Sequence, residues 1–244
     1  MTNGSGSNGN SAVISLEGVR KIYKTKAGPL EVLKGVDFKV GKGEFVAIVG
    51  PSGSGKSTLI NMITGIDRPS EGEVHVAGQR LTKMGENQVA KWRGRNVGVV
   101  FQFFQLLPTL TVIENVTMPM HYVGTYKGKR RERAMELLDL VDLPDVADKY
   151  PSQISGGQQQ RAAIARALAN EPSVLVGDEP TGNLDTVSAA LVFQLFEELV
   201  SQGTTIVMVT HDKDLAGQVP RVVEVRDGRI MAAGEVDTRL VSGR

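Results

Sequence analysis

The residues best equipped for chemistry form the run Gly50-Pro-Ser-Gly-Ser-Gly-Lys56-Ser57-Thr58. It meets every fixed position of the phosphate loop G-x-x-x-x-G-K-[ST]. Gly50, Gly53 and Gly55 let the backbone curl, so that successive N–H groups, those of Ser52 and Ser54 included, point at phosphate oxygens. The helix that follows, opened by Lys56, Ser57 and Thr58, adds its positive end. Lys56 can reach β- and γ-phosphates, and the Ser57 hydroxyl can ligate Mg²⁺. A plain glycine-rich turn is the competing reading. It is weakened by the apolar run before the loop and by Leu59, Ile60, Met62 and Ile63 after it. Asp178-Glu179 is the second element. It follows another apolar run, which suits Asp178 to a Mg²⁺ shell and Glu179 to orienting or deprotonating an attacking water.

These groups need elements to hold them. Glu44 to Val49, Asn96 to Phe101, Ser173 to Val176 and Thr205 to Val209 are short apolar runs, each ending in polar residues. Continuous runs of this kind predict strands buried on both faces of a parallel sheet, with ligands at their carboxyl ends. Ala134, Leu137, Leu138 and Val141 share one helical face, as do Ala163, Ile164, Ala167 and Leu168. A helical insert is therefore expected between strands of one sheet. Ala12 to Lys39, with Gly72 to Val76, reads as short strands of an antiparallel flank. The expected division is a flexible tail over 1–13, an ATP-binding core over 14–101, a helical subdomain over 102–170 and the rest of the core over 171–240.

Composition narrows the class. The 28 Lys and Arg balance 27 Asp and Glu, so no global basic field draws the 244-residue chain to nucleic acid. No Cys is present, which excludes disulfides, zinc–thiolate sites and a thiol nucleophile. No apolar run approaches the ~20 residues of a membrane-spanning helix.

Ile154-Ser155-Gly156-Gly157-Gln158, followed by Gln159-Gln160-Arg161, resembles the signature LSGGQ of the ATP-binding cassette ATPases. With the phosphate loop and Asp178-Glu179 in family order, the resemblance covers about residues 14 to 240. Ile154 stands where Leu is usual and Gly177 where Ala is usual; neither adds a polar atom. The resemblance implies an α/β fold: a P-loop NTPase (RecA-like) parallel-sheet core, an antiparallel β flank and a helical signature subdomain. It implies ATP and Mg²⁺ as ligands. Tyr23 becomes the aromatic that stacks on adenine, Gln102 the Q-loop residue whose amide can touch Mg²⁺ or water, and Asp185 a D-loop residue at a dimer interface. His211 becomes the switch residue at the γ-phosphate. The metal set would be Ser57, Gln102 and Asp178. Ser155-Gly156-Gly157 opens a helix with bare N–H groups, a second anion site roughly 100 residues beyond Gly55. In the family, the signature of one subunit, Ser155 to Gln158 here, closes over the nucleotide of the other, giving a homodimer.

Other conspicuous residues read as ordinary. Lys127, Lys129, Arg130, Arg131 and Arg133 suggest a solvated helix face, with contact to a membrane surface or permease as the alternative. His75 and His121 read as structural or exposed, and Trp92 as packing at a subdomain boundary. At least one of Phe101, Phe103 and Phe104 is expected in the core. The text around Phe101 to Val116 and Thr181 to Asp185 is closest to the macrolide-exporter and lipoprotein-releasing subfamily. Its permeases carry a large extracytoplasmic domain, and docking is expected near Gln102 to Val116, at the cytoplasmic face of the membrane. The alternative within the group is an ATPase that signals to cell-wall hydrolases, as its cell-division members do.

Overall fold

The computed structural model describes residues 12–231. Residues 1–11 of the tail expected over 1–13, and residues 232–240 of the resemblance, lie outside the described residues. Ala12 and Val13, expected in that tail, already belong to a strand.

In chain order the elements are β1 (Ala12–Thr25), β2 (Gly28–Gly41), β3 (Phe45–Val49), α1 (Lys56–Thr64), β4 (Glu71–Val76) and β5 (Gln79–Arg80). Next come α2 (Glu86–Asn96), β6 (Val97–Phe101), α3 (Val112–Val123), α4 (Arg130–Leu140) and α5 (Gly156–Ala167). The chain continues with β7 (Val174–Asp178), α6 (Thr186–Ser201), β8 (Thr205–Val209), α7 (Lys213–Gln218), β9 (Arg221–Arg226) and β10 (Arg229–Ile230). The antiparallel sheet runs β2-β1-β4-β5 and the larger sheet β10-β9-β3-β8-β7-β6. In the latter β9, β3, β8, β7 and β6 are mutually parallel, and only β10 at the edge is antiparallel. In the flank, β1 and β2 are long rather than short, at 14 residues each, whereas β4 has 6 residues and β5 has 2. β9 and β10 extend the sheet beyond the four runs that the sequence pattern marks.

Strand β3 shows why those runs are continuous. Its side chains alternate: Phe45, Ala47 and Val49 enter the core under α3 to α6, while Val46 and Ile48 enter the core that α1 and α2 share with the antiparallel sheet. A strand between two cores has no solvated face. Each large apolar side chain fully buried there contributes about 1.5–3 kcal/mol. The first core is stapled by Phe45 against Phe193 and Phe196, with ring centroids 5.6 and 6.3 Å apart. Trp92 is buried in the second core.

One expectation fails. None of Phe101, Phe103 and Phe104 is buried, and Phe103 is 72% exposed. Strand β6 is the edge of the larger sheet, so the chain leaving it is covered from one side only, and Phe101 and Phe104 stay half-buried.

Parallel register aligns the carboxyl ends. Ile48 pairs with Val209, Val209 with Asp178, and Asp178 with Phe101. The loops after β3, β7, β8 and β6 therefore emerge side by side, and these loops carry the candidate residues.

Candidate functional site: a phosphate cleft at the strand ends

The loop from Gly50 to Gly55 depends on glycine. Gly50 has φ 146°, and a Cβ there would lie 2.1 Å from the Val225 carbonyl oxygen. Gly55, at φ 107°, precedes α1 without any side-chain cap. The first-turn N–H groups of α1 are thus left for an outside acceptor. Ser54 is buried, and its Oγ has no hydrogen-bond partner. Lys56 Nζ donates to the Gly50 and Pro51 carbonyls at 2.9 and 2.8 Å, folded over the loop it would share with a phosphate. Burial holds its pKa below the ordinary lysine value, while the charges of Glu179 and Asp178 pull it upward. Gly50, Gly53, Lys56, Thr58, Glu179 and His211 all line one cleft of about 540 Å³.

Asp178 closes β7 and hydrogen-bonds to Ser57. Burial raises its pKa first, the neighbouring Glu179 charge adds to this, and Ser57 and Lys56 oppose it. A buried carboxylate held up by a like charge is a site that gains from a cation. The donor set is a hydroxyl and a carboxylate, both hard oxygens. Mg²⁺ is commonly held by one or two carboxylates together with substrate phosphates and water. Ser57 and Asp178 therefore fit Mg²⁺.

Glu179 turns the chain sharply out of the sheet at φ 49°, with its N–H on the Val209 carbonyl at 2.9 Å. This left-handed conformation costs a non-glycine residue about 1–2 kcal/mol, and it aims the carboxylate at the cleft. Glu179 Oε1 lies 3.0 Å from His211 Nδ1. The sequence puts His211 at the γ-phosphate and Glu179 at the attacking water, without pairing them. A proton on Nδ1 satisfies Glu179 and leaves Nε2 as the ring's other hydrogen-bonding position.

Gln102 is not brought to Ser57 and Asp178. Its amide lies against Gly182, where a Cβ would be 2.9 Å from Nε2, and its carbonyl accepts from Asn183 Nδ2 at 3.0 Å. It therefore links the end of β6 to the loop before α6. Tyr23 hydrogen-bonds through its hydroxyl to Asp67 at 2.8 Å and also bonds to Thr58. Lys21 Nζ covers one ring face at 4.8 Å from the centroid.

Ser155 caps α5, and the helix end is less bare than expected. Its Oγ accepts from the Gln158 N–H at 3.2 Å, and Gln158 Oε1 accepts from the Ser155 N–H at 2.9 Å. This capping box leaves the Gly156 and Gly157 N–H groups for a ligand. None of Ser155, Gly156, Gly157 and Gln158 lines the phosphate cleft. Asp185 caps α6, its two carboxylate oxygens accepting from the Ser188 N–H at 2.9 Å and the Ser188 hydroxyl at 2.8 Å. These bonds pull its pKa below the usual carboxylate range.

A family model described as "ABC transporter" matches residues 33–182. The chain belongs to the ABC transporter family. Among its ABC relatives, an uncharacterised ABC transporter ATP-binding protein of Thermotoga maritima is 48% identical over 218 residues, covering 89% of this chain and 93% of that one. The macrolide export ATP-binding/permease protein MacB of Nitrosomonas europaea is 46% identical over 226 residues. The match takes in 92% of this chain but only 34% of MacB, a much longer protein. Among solved structures, the dimeric cassette MJ0796, in a post-hydrolysis state bound to ADP and Pi, superposes with TM-score 0.82 at 40% identity. That match covers 89% of this chain and 96% of the other. The chain is an ATP-binding, ATP-hydrolysing subunit of the ABC transporter class.

Three residues organise this ABC cassette through partners that their sequence positions do not mark. Gln160 is fully buried and donates to the carbonyls of Phe101, at 3.3 Å, and Pro180. It ties the signature helix to the strand ends. Arg166 donates to the carbonyls of Phe104, at 2.8 Å, and Gln105, and burial pushes its pKa down. Asn115, also fully buried, holds the Leu107 N–H at 2.7 Å and the carbonyls of Leu107, Leu110 and Thr111. A polar residue on an otherwise apolar helical face was the available signal for Asn115. Gln160 and Arg166 bond to carbonyls some 20 to 62 residues away in sequence, and no local pattern encodes that.

Proposed function

We propose that two copies of this chain close head-to-tail on ATP, each placing Ser155 to Gln158 over the partner's Gly50 to Thr58. The reading is carried by the separation of two anion-binding helix ends: the phosphate cleft contains no signature residue of its own chain. In the closed pair Glu179 accepts a proton from the attacking water, and His211, held by Glu179, orients beside the γ-phosphate. Lys56 leaves its loop carbonyls for phosphate oxygens. Mg²⁺, when bound, neutralises charge on the β- and γ-phosphates, and Ser57 and Asp178 are the residues that would hold it. Gln102 would join them by swinging away from Gly182. Tyr23, with one face already under Lys21, offers its other face to adenine, and Asp185 lies at the seam between the copies.

The output would be motion of a separate membrane permease, peripheral attachment to which would keep this chain at the cytoplasmic face. The segment from Gln102 to Val116 is the proposed dock, since Phe103 and Leu107 there are exposed. Resemblance to MacB favours export of macrolide, peptide or lipoprotein type cargo by a permease with an extracytoplasmic domain.

Glu179→Gln should retain ATP binding and run as a dimer on gel filtration with ATP and Mg²⁺. Ser155→Arg should bind ATP as a monomer yet lose turnover at least 100-fold. A monomeric Glu179→Gln at saturating ATP, or near-normal turnover in Ser155→Arg, would overturn the composite site.

A further inference from the structure

We propose that the loop between α3 and α4 rests directly on the anionic headgroups of a bilayer, through its exposed cations and the exposed Tyr122 at the end of α3. Lys127 and Lys129 are exposed and form no ion pair among the described residues. Arg130 directs its Nε to the Thr125 carbonyl at 2.9 Å and its Nη1 to His121 Nδ1 at 3.0 Å, so its charge meets no carboxylate. Nearby acids are already engaged: Asp148 with Arg131, and Glu136 and Glu171 with Arg133. Glu132, in the first turn of α4, is the carboxylate left over.

Apolar surface lies beside these cations. Tyr122 is 67% exposed and Met118, one turn earlier on α3, is 37% exposed. Helix α2 braces that turn from behind, since a Cβ on Gly94 would meet Val123 Cγ2 at 2.8 Å and Tyr122 Cδ1 at 3.6 Å. Arg95, which follows Gly94, is exposed and likewise forms no ion pair among the described residues. The loop itself is ordered: Thr125 N–H reaches the Met120 carbonyl at 3.0 Å, Lys129 N–H the Tyr126 carbonyl at 2.9 Å, and the Tyr126 hydroxyl Glu171 at 2.8 Å. Exposed cations without carboxylate partners, on an ordered loop that follows an exposed tyrosine, match the chemistry of a headgroup layer, where amphipathic rings settle and basic side chains find phosphates. The whole chain has a formal net charge of +1, so the attraction is local to this face. Among the described residues no helix is long and apolar enough to cross a membrane, so contact is made from the surface.

The proposal shares the membrane setting of the proposed function but uses none of its ATP chemistry. The test is co-sedimentation of the full chain with phosphatidylcholine vesicles, with and without about one-third phosphatidylglycerol. Wild type should pellet with the anionic vesicles at low salt and be released at 1 M salt, where the Debye length falls to about 3 Å. It should ignore phosphatidylcholine alone. Each basic side chain near an anionic surface raises partitioning about fivefold, so Lys127→Ala with Lys129→Ala should weaken binding roughly 25-fold. ATP turnover of the same variant in solution should be unchanged, which separates this result from failure of the composite site. Tyr122→Ser should weaken binding to the anionic vesicles at low salt. Wild type remaining in the supernatant with anionic vesicles, or equal binding by the lysine variant, would overturn the proposal. So would capture by polyglutamate, through the same lysines, in place of vesicles, which would point to an acidic protein partner instead.

Discussion

Gly157→Ala and Gly156→Ala alter adjacent positions of the same helix turn and should shift stability in opposite directions. Alanine is favoured over glycine inside a helix by roughly 0.5–1 kcal/mol, so each change would stabilise α5 if nothing stood nearby. At Gly156 the nearest atom to a Cβ is Phe104 Cζ at 3.6 Å, an ordinary contact. At Gly157 the Cβ would lie 2.4 Å from Ser188 Oγ and 2.9 Å from Ser188 Cβ. Ser188 cannot simply rotate away, because its hydroxyl and N–H are both bonded to Asp185. Overpacking of this kind costs about 1–3 kcal/mol, which outweighs the helix gain. The net for Gly157→Ala is a loss of about 1–2 kcal/mol, a drop in Tm of about 2–8 °C for a domain of this size. Thermal denaturation by circular dichroism reads both variants against wild type. The decisive measurement is a double-mutant cycle with Ser188→Gly, which removes both crowding atoms. Gly157→Ala should then become neutral or stabilising, with a coupling of at least ~1 kcal/mol. Additivity within about 0.5 kcal/mol would refute the argument that α6 imposes glycine on the signature helix.

Other outcomes follow from the same geometry. Lys56→Ala should abolish nucleotide binding in a fluorescence titration, since Lys56 lines the cleft and its ammonium reaches the loop carbonyls; unchanged affinity would overturn the assignment. Asp178 has a raised pKa, so its ionisation opposes folding as pH rises above the unfolded value of about 3.9. Asp178→Asn should therefore be more stable than wild type at pH 7 without nucleotide, the advantage fading as pH falls below about 4, while added Mg²⁺ and ATP protect it less. A melting series across pH showing no such convergence would count against a penalised carboxylate. Glu73 is held at about 2 by Arg80 and Thr82. Its contribution should be complete above the unfolded carboxylate value and disappear as pH falls from about 4 towards 2. Arg80→Met should return the Glu73 titration, followed by NMR, towards the ordinary range.

The sequence by itself determined the chemistry and the fold class. Phosphate loops, apolar strands ending in acids, and a glycine-rich helix start are local patterns, because each follows from what a few adjacent residues can do with their own backbone. Gly50 and Gly55 are legible for that reason, as are the strand end at Asp178 and the helix start at Ser155, although not its capping box. The tertiary structure decided which of these local pieces share a site. Parallel register, set by which apolar faces two cores must cover, brings Ile48, Asp178 and Val209 level and so pairs Glu179 with His211. Edge position left Phe101, Phe103 and Phe104 outside the core, although their sequence suggests burial. Gln160 and Arg166 look like polar interruptions of a helix, and their partners are carbonyls far along the chain. A buried donor is satisfied only by what packing brings within about 3 Å, and packing is a property of the whole fold.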